Sequence, residues 1–409
     1  MTRRCGWAAF GSFAAMSLCF AASAPGGPAA AQDAARSAAG DAAAGASVPV
    51  VRSVAVEHAE GLAHFHRVLR DLEAGRRRRV RVLHYGDSNV AANLWTRVTR
   101  GTLRRRYGDG GTGWLVPPPW GTHVRSAVTI RGGDGWEPRR HGAAGRFGPP
   151  DGLWGLAGVG VSGSGRAAAL RIELPESGPG VLHVHALAWR RGGRLSLRLD
   201  EEEAVELGTR RRRPEVVGRS ISIGPGPHRL TIRVTGPRPV RLLGIEVEHD
   251  RPGVVYDVLG INGHRASAML RWDRDVLARS IAARTPDLLV LGYGANEALD
   301  PDLSMERYAR QLDRSLSLMR ALAPEASCLV VSPVAMCGEP RNQEVTAIQR
   351  AAAPRHGCAF WNTSEVSGGP DSLCGWIRRG LVHTDRLHLT QAGYELVGER
   401  FTQALLPGP

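Results

Sequence analysis

The nine residues VRVLHYGDS, at positions 80–88, decide how the rest of the sequence is interpreted. The apolar, β-branched run Val80–Tyr85 is typical of a strand that is buried on both faces of a parallel sheet. Gly86 and Asp87 follow it, and Ser88 stands just beyond the carboxyl end of the predicted strand. Open α/β sheets bind ligands at that edge. Gly-Asp-Ser alone is a common turn, so its weight depends on partners elsewhere in the chain.

Four later runs have the same character, and helical patterns lie between most of them. The runs are residues 254–259, 288–291, 329–331 and 359–361. Helical spacing of apolar residues is seen after the first run (Leu94, Val98, Tyr107), before the fourth run (Tyr308, Leu312, Leu316, Met319) and at the end of the chain (Tyr394, Val397, Phe401, Leu405, after a candidate Thr390 cap). Strands that alternate with helices predict a three-layer α/β domain around a parallel five-stranded sheet.

Nearly 170 residues separate the first and second predicted strands, far more than a crossover needs. Residues 134–250 contain alternating apolar and polar segments at 169–174, 195–199 and 230–234, separated by Gly and Pro. This pattern predicts an all-β sandwich inserted into the α/β domain, whose two parts are then residues 51–133 and 251–409. The insert is either a structural spacer or a module that binds carbohydrate or positions the substrate.

The N-terminal residues are typical of an exported protein. Residues 1–31 contain Arg3 and Arg4, an apolar stretch and then Ala29-Ala30-Ala31, which predicts a signal peptide, although an uncleaved membrane anchor is an alternative. Residues 32–50 are rich in Ala, Gly, Ser and Asp and predict a flexible leader. We expect no stable membrane insertion after cleavage.

The net charge of +14 arises from arginine, because the chain contains no lysine. One explanation is that arginine is used wherever a solvated positive charge is wanted, and the other is attraction to an anionic polymer. Arginine runs at 76–79, 104–106 and 210–213 lie far apart without interleaved aromatic residues, so we expect no nucleic-acid partner. A hydrophobic content of 43% and a charged content of 22% are typical of a globular protein.

Four cysteines remain after the predicted signal peptide, and an even number in an oxidising compartment suggests disulfides. Four cysteines allow three pairings. Cys328 and Cys358 each open a run predicted to be one of two neighbouring parallel strands, so the first expectation pairs them and leaves Cys337 with Cys374. Their spacing does not match a zinc site.

The segment His383-Thr384-Asp385-Arg386-Leu387-His388 precedes the last predicted helix. A serine hydroxyl is a poor nucleophile until a base takes its proton, and the base needs a carboxylate to hold its tautomer and orientation. Asp385 and His388 supply both groups from one loop. A metal site formed by His383, Asp385 and His388 is the alternative, but we expect neither a metal nor a cofactor.

Two turn-rich segments follow the second and third predicted strands. Gly260-Ile261-Asn262-Gly263 is the first, and Gly292-Tyr293-Gly294-Ala295-Asn296-Glu297 is the second. Acyl transfer passes through a tetrahedral oxyanion that needs preorganised N–H donors. The Gly263 backbone and the Asn296 side chain are candidate donors, although both segments are also typical of simple turns.

Together these four blocks resemble the SGNH/GDSL hydrolases, whose blocks carry Ser, Gly, Asn and His in this chain order. The resemblance covers roughly residues 78–130 and 252–405 and implies a flavodoxin-like SGNH hydrolase domain. It implies that Ser88 attacks and that His388, steered by Asp385, is the base. It also implies an oxyanion hole made by the Ser88 and Gly263 amides and the Asn296 side chain.

Two departures from the usual family pattern, Asn89 after the serine and Glu297 after the asparagine, resemble a subgroup in which a β-sandwich interrupts the catalytic domain. Peptidoglycan O-acetylesterases belong to that subgroup. A glycine-rich loop over residues 107–114 resembles it as well and is expected to line the cleft.

The leading expectation is therefore an exported, periplasmic or extracellular carbohydrate O-acetylesterase acting on peptidoglycan or another acetylated polysaccharide. A broad esterase or lipase, an acetyltransferase, and a non-catalytic glycan-binding envelope protein are the alternatives.

Overall fold

A parallel sheet of five strands forms the centre of the α/β region. A computed structural model of the chain describes residues 51–117, 128–140 and 151–406, all within one compact unit, Pro49–Pro409. The predicted signal peptide (1–31) and leader (32–50) lie outside the described residues.

The strands are β1 Arg79–Gly86, β2 Gly111–Leu115, β3 Thr129–Gly132, β4 Trp136–Arg140, β5 Val159–Gly163, β6 Ala169–Ser177, β7 Gly180–Ala188, β8 Arg194–Leu199, β9 Val205–Gly208, β10 Glu215–Ile223, β11 Gly226–Thr235, β12 Val240–His249, β13 Gly253–Gly260, β14 Leu288–Gly292, β15 Ser327–Val331 and β16 Ala359–Trp361. The α-helices are α1 Ala63–Glu73, α2 Ser88–Ala91, α3 Trp95–Tyr107, α4 Arg274–Arg284, α5 Ala295–Ala298, α6 Met305–Leu322, α7 Pro340–Ala352, α8 Thr363–Val366, α9 Leu373–Ile377 and α10 Gln391–Leu405.

The parallel sheet has the order β13-β1-β14-β15-β16, and each strand contains one of the five predicted apolar runs. Successive side chains of a strand point to opposite faces of the sheet, so they pack against different helical layers. On β1, Leu83 belongs to the apolar cluster that contains residues of α4, α6 and α7, whereas Val82 belongs to the cluster that contains residues of α1, α3 and α10. Both faces of the sheet are therefore covered, and the predicted three-layer α/β arrangement is confirmed.

The predicted helices are also found. Tyr308, Leu312, Leu316 and Met319 are all buried on α6. Thr390 caps α10, because its hydroxyl accepts a hydrogen bond from the Gly393 amide at 3.4 Å. Among the residues described, no helix combines the length and apolar character needed to cross a membrane.

Two antiparallel sheets lie between α3 and β13 in the chain. One has the order β10-β7-β12-β5-β4 with β2 added against β12, and the other has the order β3-β6-β11-β8-β9. The segments predicted as alternating strands lie in β6, β8 and β11. Ile172 of one sheet and Val184 of the other belong to the same buried cluster, so the sheets bury their apolar residues in common.

Antiparallel pairing begins earlier than the predicted insert boundary at residue 134. β2 pairs with β12, and β3 pairs with β6, although both β2 and β3 precede that residue. The prediction of a loop over residues 107–114 is wrong at both ends, because Tyr107 ends α3 and Gly111–Leu115 is a strand. Trp114 on this strand is 6% exposed. Glycine at 111 suits this close approach, because a Cβ there would lie 2.8 Å from the Glu248 Cα.

Both expected disulfides are present. Cys328 and Cys358 join β15 to the residue before β16, with their Cα atoms 4.5 Å apart. Cys337 and Cys374 join the segment after β15 to α9, with their Cα atoms 5.2 Å apart. The two disulfides are therefore the pairing expected from neighbouring strands.

A buried ionic network joins the parallel sheet to the six-stranded antiparallel sheet. Arg284, at the end of α4 and 4% exposed, donates to Asp257 of β13 at 2.6 and 2.9 Å. The same guanidinium donates to Glu248 of β12 at 2.8 Å and forms an ion pair with Glu246. Arg81 of β1 also donates to Glu248, at 2.9 and 3.0 Å. The buried Arg284 guanidinium therefore forms ion pairs with three carboxylates from two sheets.

Candidate active site

The register of the parallel sheet brings three of the four sequence blocks to one edge. Gly86 at the end of β1 pairs with Gly260 of β13 on one side and with Gly292 of β14 on the other. Ser88 and Asn296 follow these aligned strand ends by two and four residues, and Gly263 follows by three. The carboxyl edge therefore collects them, as expected for an open α/β sheet.

Ser88 begins the single helical turn α2, and its neighbours fix it in place. The Asp87 carboxylate caps this turn by accepting hydrogen bonds from the Asn89 amide at 2.9 Å and from its side chain at 3.2 Å. The Asn89 side-chain oxygen accepts from Tyr394 Oη at 2.6 Å, which ties the turn to α10. Burial raises the pKa of Asp87, against the lowering effect of the Asn89 bonds and of His388. Gly86 is needed because a Cβ there would lie 2.6 Å from the Gly292 carbonyl oxygen.

His388 is within hydrogen-bonding distance of the Ser88 hydroxyl and of Asp385. The distance from Ser88 Oγ to His388 Nε2 is 2.8 Å, and that from His388 Nδ1 to Asp385 Oδ2 is 2.7 Å. Asp385 Oδ1 also accepts the backbone amides of Leu387 at 2.9 Å and of His388 at 3.0 Å. The geometry matches a nucleophile, a base and an orienting carboxylate in series.

The charge state of Asp385 suits an orienting role. Partial burial raises its pKa, but the hydrogen bonds from the His388 amide, the His388 ring and the Leu387 amide outweigh burial and hold the pKa below its usual value. Asp385 is therefore ionised at neutral pH, where it can accept the Nδ1 proton and stabilise an imidazolium. His383 is exposed, and its backbone amide donates to the His388 carbonyl at 2.8 Å. No group of metal-binding side chains occurs in the described ranges.

The candidate oxyanion donors are held by bonds between their loops. Asn296 Nδ2 donates to the His264 carbonyl at 2.9 Å, which leaves its second N–H for another acceptor. Gly263 has a φ of 75°, in the left-handed region that favours glycine, and a Cβ there would meet no atom within 4 Å. Its backbone therefore borders open space.

Glu297, one of the two departures from the family pattern, holds these loops together. Its Oε1 accepts the Ala266 amide at 2.9 Å, and the side chain is 1% exposed. Burial raises the pKa of Glu297 to about 7, against the bond from Ala266 and with a further raising contribution from the Asp87 charge. The sequence identified Glu297 only as a departure, because nothing in its spacing indicates a contact with Ala266.

Replacing Asn296 with alanine is expected to lower kcat by roughly 10²- to 10³-fold, because one preorganised donor to a developing oxyanion is lost. Asn296→Asp keeps the size of the side chain without its N–H donors and should be at least as impaired. Steady-state hydrolysis of 4-nitrophenyl acetate measures the loss, and thermal unfolding checks that the loop is intact. A kcat within threefold of the wild-type value in a folded variant would remove Asn296 from the oxyanion hole.

One known family matches part of the sequence. The GDSL-like lipase/acylhydrolase family matches residues 216–396, which include Gly263, Asn296, Asp385 and His388 but not Ser88. The match starts inside β10, so the first block lies beyond it, separated by the antiparallel region. None of the curated proteins matches the sequence.

Among solved structures, a peptidoglycan O-acetylesterase is similar over 85% of this chain and 97% of its own, with 20% identity and a TM-score of 0.72. A family two carbohydrate esterase from Cellvibrio japonicus has 8% identity, covers 68% of this chain and 97% of its own, and has a TM-score of 0.29. The salicylyl-acyltransferase SsfX3 of a tetracycline biosynthetic pathway has 13% identity, coverages of 70% and 94%, and a TM-score of 0.32. Only the first likeness is strong enough to compare folds.

The chain therefore has the SGNH hydrolase fold, with its parallel five-stranded sheet and additional antiparallel sheets. It resembles the SGNH/GDSL hydrolases in its family match and in the order of its blocks, and it is an ester-hydrolysing enzyme.

Proposed function

We propose that this protein is an exported serine esterase that removes O-acetyl groups from peptidoglycan or another acetylated polysaccharide. The observation that carries the proposal is the continuous hydrogen-bonded series from Ser88 Oγ through His388 to Asp385, with distances of 2.8 and 2.7 Å. Such a series supplies both a nucleophile and a proton acceptor without a metal or cofactor.

The first half-reaction acetylates the enzyme. His388 Nε2 accepts the Ser88 proton as Oγ attacks the acetyl carbonyl carbon, and the oxyanion is stabilised by the Ser88 and Gly263 amides and by Asn296 Nδ2. The tetrahedral intermediate collapses when the imidazolium gives its proton to the departing sugar oxygen. Asp385 stabilises the imidazolium meanwhile.

The second half-reaction returns the free enzyme. His388 takes a proton from water as the water oxygen attacks the acetyl-serine, the imidazolium returns a proton to Ser88 Oγ as that oxygen departs, and acetic acid leaves and ionises to acetate in solution. The sugar hydroxyl released in the first half-reaction and the acetate released here together balance the hydrolysis of one ester bond by one water molecule.

Export is supported by the signal-like residues 1–31 and by the two disulfides, which persist in oxidising compartments. The choice of acetylated polysaccharide is supported by the fold shared with a peptidoglycan O-acetylesterase. An inserted β-sandwich that binds or positions the glycan is part of the proposal. Support for the sandwich is the apolar cluster shared by both antiparallel sheets, and the ionic network fixes the six-stranded one to the parallel sheet.

The test is acetate release by the purified mature protein from O-acetylated peptidoglycan and from acetylated xylan. We expect release from at least one polymer, and faster hydrolysis of 4-nitrophenyl acetate than of the octanoate, because the proposed acyl group is small. Rates that rise with acyl chain length would favour a lipase, and acetyl transfer to an added glycan in place of acetate release would favour a transferase. Neither turnover nor fluorophosphonate labelling of Ser88 would favour a non-catalytic glycan-binding protein.

A further inference from the structure

We infer that a basic cleft beside Gly263 binds a carboxylate carried by the substrate, so that the enzyme prefers acetylated glycans with acidic groups over neutral ones. The inference rests on the proposed function and specifies the class of polysaccharide. It assigns roles in binding to Arg271 and Arg307, which take no part in the proton transfers described above.

The cleft adjoins the proposed oxyanion hole. It has a volume of about 390 Å³, and Gly263 and His264 form part of its wall. His264 is the residue whose carbonyl accepts the hydrogen bond from Asn296. A ligand whose acetyl carbonyl reached the Gly263 amide would therefore extend naturally into this space.

Three arginines line the cleft, and two of them form no ion pair with a carboxylate of the described residues. Arg265 is paired with Asp300 at 2.5 Å, so its charge is compensated. Arg271 and Arg307 are exposed cleft residues, and neither forms an ion pair within the described part of the chain. Asp302 is the other lining carboxylate, so the two free cations exceed the free anions by one.

Arg307 lies in the first turn of α6, where a positive side chain is unfavourable for the helix. The positive end of the helix dipole and the guanidinium act in the same direction there and together attract an anion. Arg271 approaches from a different element, at the end of the 3₁₀ helix Ala266–Arg271. The cleft thus has two cations on separate elements, an arrangement that suits a carboxylate between them.

The elements that carry these arginines are fixed to the rest of the domain. The Arg341 side chain donates to the carbonyls of Ala298, Asp300 and Leu303 at 3.1, 2.8 and 2.6 Å, and so holds the wall that precedes α6. Ser315 Oγ of α6 donates to the Ala266 carbonyl at 3.1 Å, which joins α6 to the 3₁₀ helix. The separation of the two arginine-bearing elements is therefore set before a ligand arrives.

Two kinds of acetylated glycan carry the required carboxylate. Peptidoglycan carries it on its peptide stems, and polyuronates carry it on the sugar ring itself. Acetylated xylan without uronate substituents carries none and is the neutral reference. The shared chemistry is a carboxylate near an O-acetyl group, and the two sources are separated by the substrates used in the test.

The experiment compares kcat/KM of the wild type and of the double variant Arg271→Gln/Arg307→Gln on an O-acetylated muropeptide, an acetylated polyuronate, the neutral xylan and 4-nitrophenyl acetate. We expect a fall of about 10-fold or more on at least one acidic substrate at low salt, from the loss of two charge-assisted contacts. The neutral substrates should change by less than twofold. The acidic substrate that responds identifies the source of the carboxylate.

The matched control is Arg310→Gln/Arg314→Gln, which removes the same charge from exposed positions of α6 that do not line the cleft. It should leave every rate within twofold of the wild type. Asp302→Asn removes the anion from the cleft and should raise kcat/KM on the responding acidic substrate.

An equal fall on all four substrates, no fall on either acidic substrate, or the same selective fall in the control would overturn the inference and leave the proposed esterase standing. A wild type that hydrolyses 4-nitrophenyl acetate but releases no acetate from any glycan would overturn the proposed function, and the inference with it.

Discussion

Replacing Ser88 with alanine is expected to lower kcat for acetyl esters by about 10⁴-fold or more, the loss typical of removing a member of a catalytic triad. The physical reason is that Ser88 Oγ is the proposed nucleophile, and among the described residues it is the hydroxyl that lies 2.8 Å from His388 Nε2. His388→Ala should show a loss of similar size, because the effects of residues that act as a unit are not additive.

Acetate release measured at saturating substrate tests this prediction, and labelling by a fluorophosphonate probe locates the acylated serine by mass spectrometry. Ser222→Ala is the matched control, because Ser222 is an exposed serine on β10. It should keep wild-type activity and labelling. Activity within tenfold of the wild type in a folded Ser88→Ala protein would reject the assigned nucleophile.

Replacing Arg284 with methionine is expected to destabilise the protein by about 3–5 kcal/mol, because it leaves carboxylates buried without their cation. Asp257 is fully buried, and Glu246 is 6% exposed. Asp257 also accepts the Trp114 backbone amide at 2.7 Å, so the disturbance reaches β2 as well as β13. Urea unfolding followed by circular dichroism measures the change.

Arg279→Met on the same helix is the matched control. The Arg279 side chain is 60% exposed and its ion pair with Glu215 spans 3.5 Å, so its loss should cost less than about 1 kcal/mol. Equal destabilisation by the two substitutions would contradict the role given to the buried network.

The same network gives the stability a defined dependence on pH. Burial raises the pKa of Glu246, but the bond from His185 and the charge of Arg284 outweigh burial and lower the pKa to about 2 from its ordinary 4.5. A carboxyl with a lowered folded-state pKa stabilises the fold above its unfolded pKa, and that contribution is lost as the pH falls from about 4.5 towards 2.

Continuous apolar runs made the parallel sheet predictable from the sequence. A strand buried on both faces has no polar positions, so its run stands out from the surrounding sequence. Open α/β sheets bind ligands at the carboxyl ends of their strands. The predicted strands therefore place Ser88, Gly263 and Asn296 at that edge, and the structure has them just beyond neighbouring strand ends. The contact between His388 and Ser88 followed from chemistry, because a serine nucleophile needs a base.

The contacts that support the site were not predictable in the same way. Arginine side chains on helices are usually exposed, so the sequence gives no signal that Arg284 is buried. Its burial results from the packing of α4 against two sheets. The helical spacing predicts that Tyr394 lies on an apolar helix face. It gives no signal that the Tyr394 hydroxyl donates a hydrogen bond to the Asn89 side chain. Two of the five residues at 111–115 are glycine, which is depleted in strands, so the local signal for their pairing with β12 is weak.

The position of β1 between β13 and β14 also bears on the order in which the chain assembles. Among the described strands, β1 is hydrogen-bonded to β13 and β14, and both are made after the antiparallel strands β2–β12. During synthesis or translocation, β1 has two open edges until residues 253–292 emerge. The antiparallel strands find their partners among themselves by His249, so we expect them to fold first and hold β1 nearby. His388 emerges later still, so we expect a chain that stops before it to lack the proposed base and to be inactive.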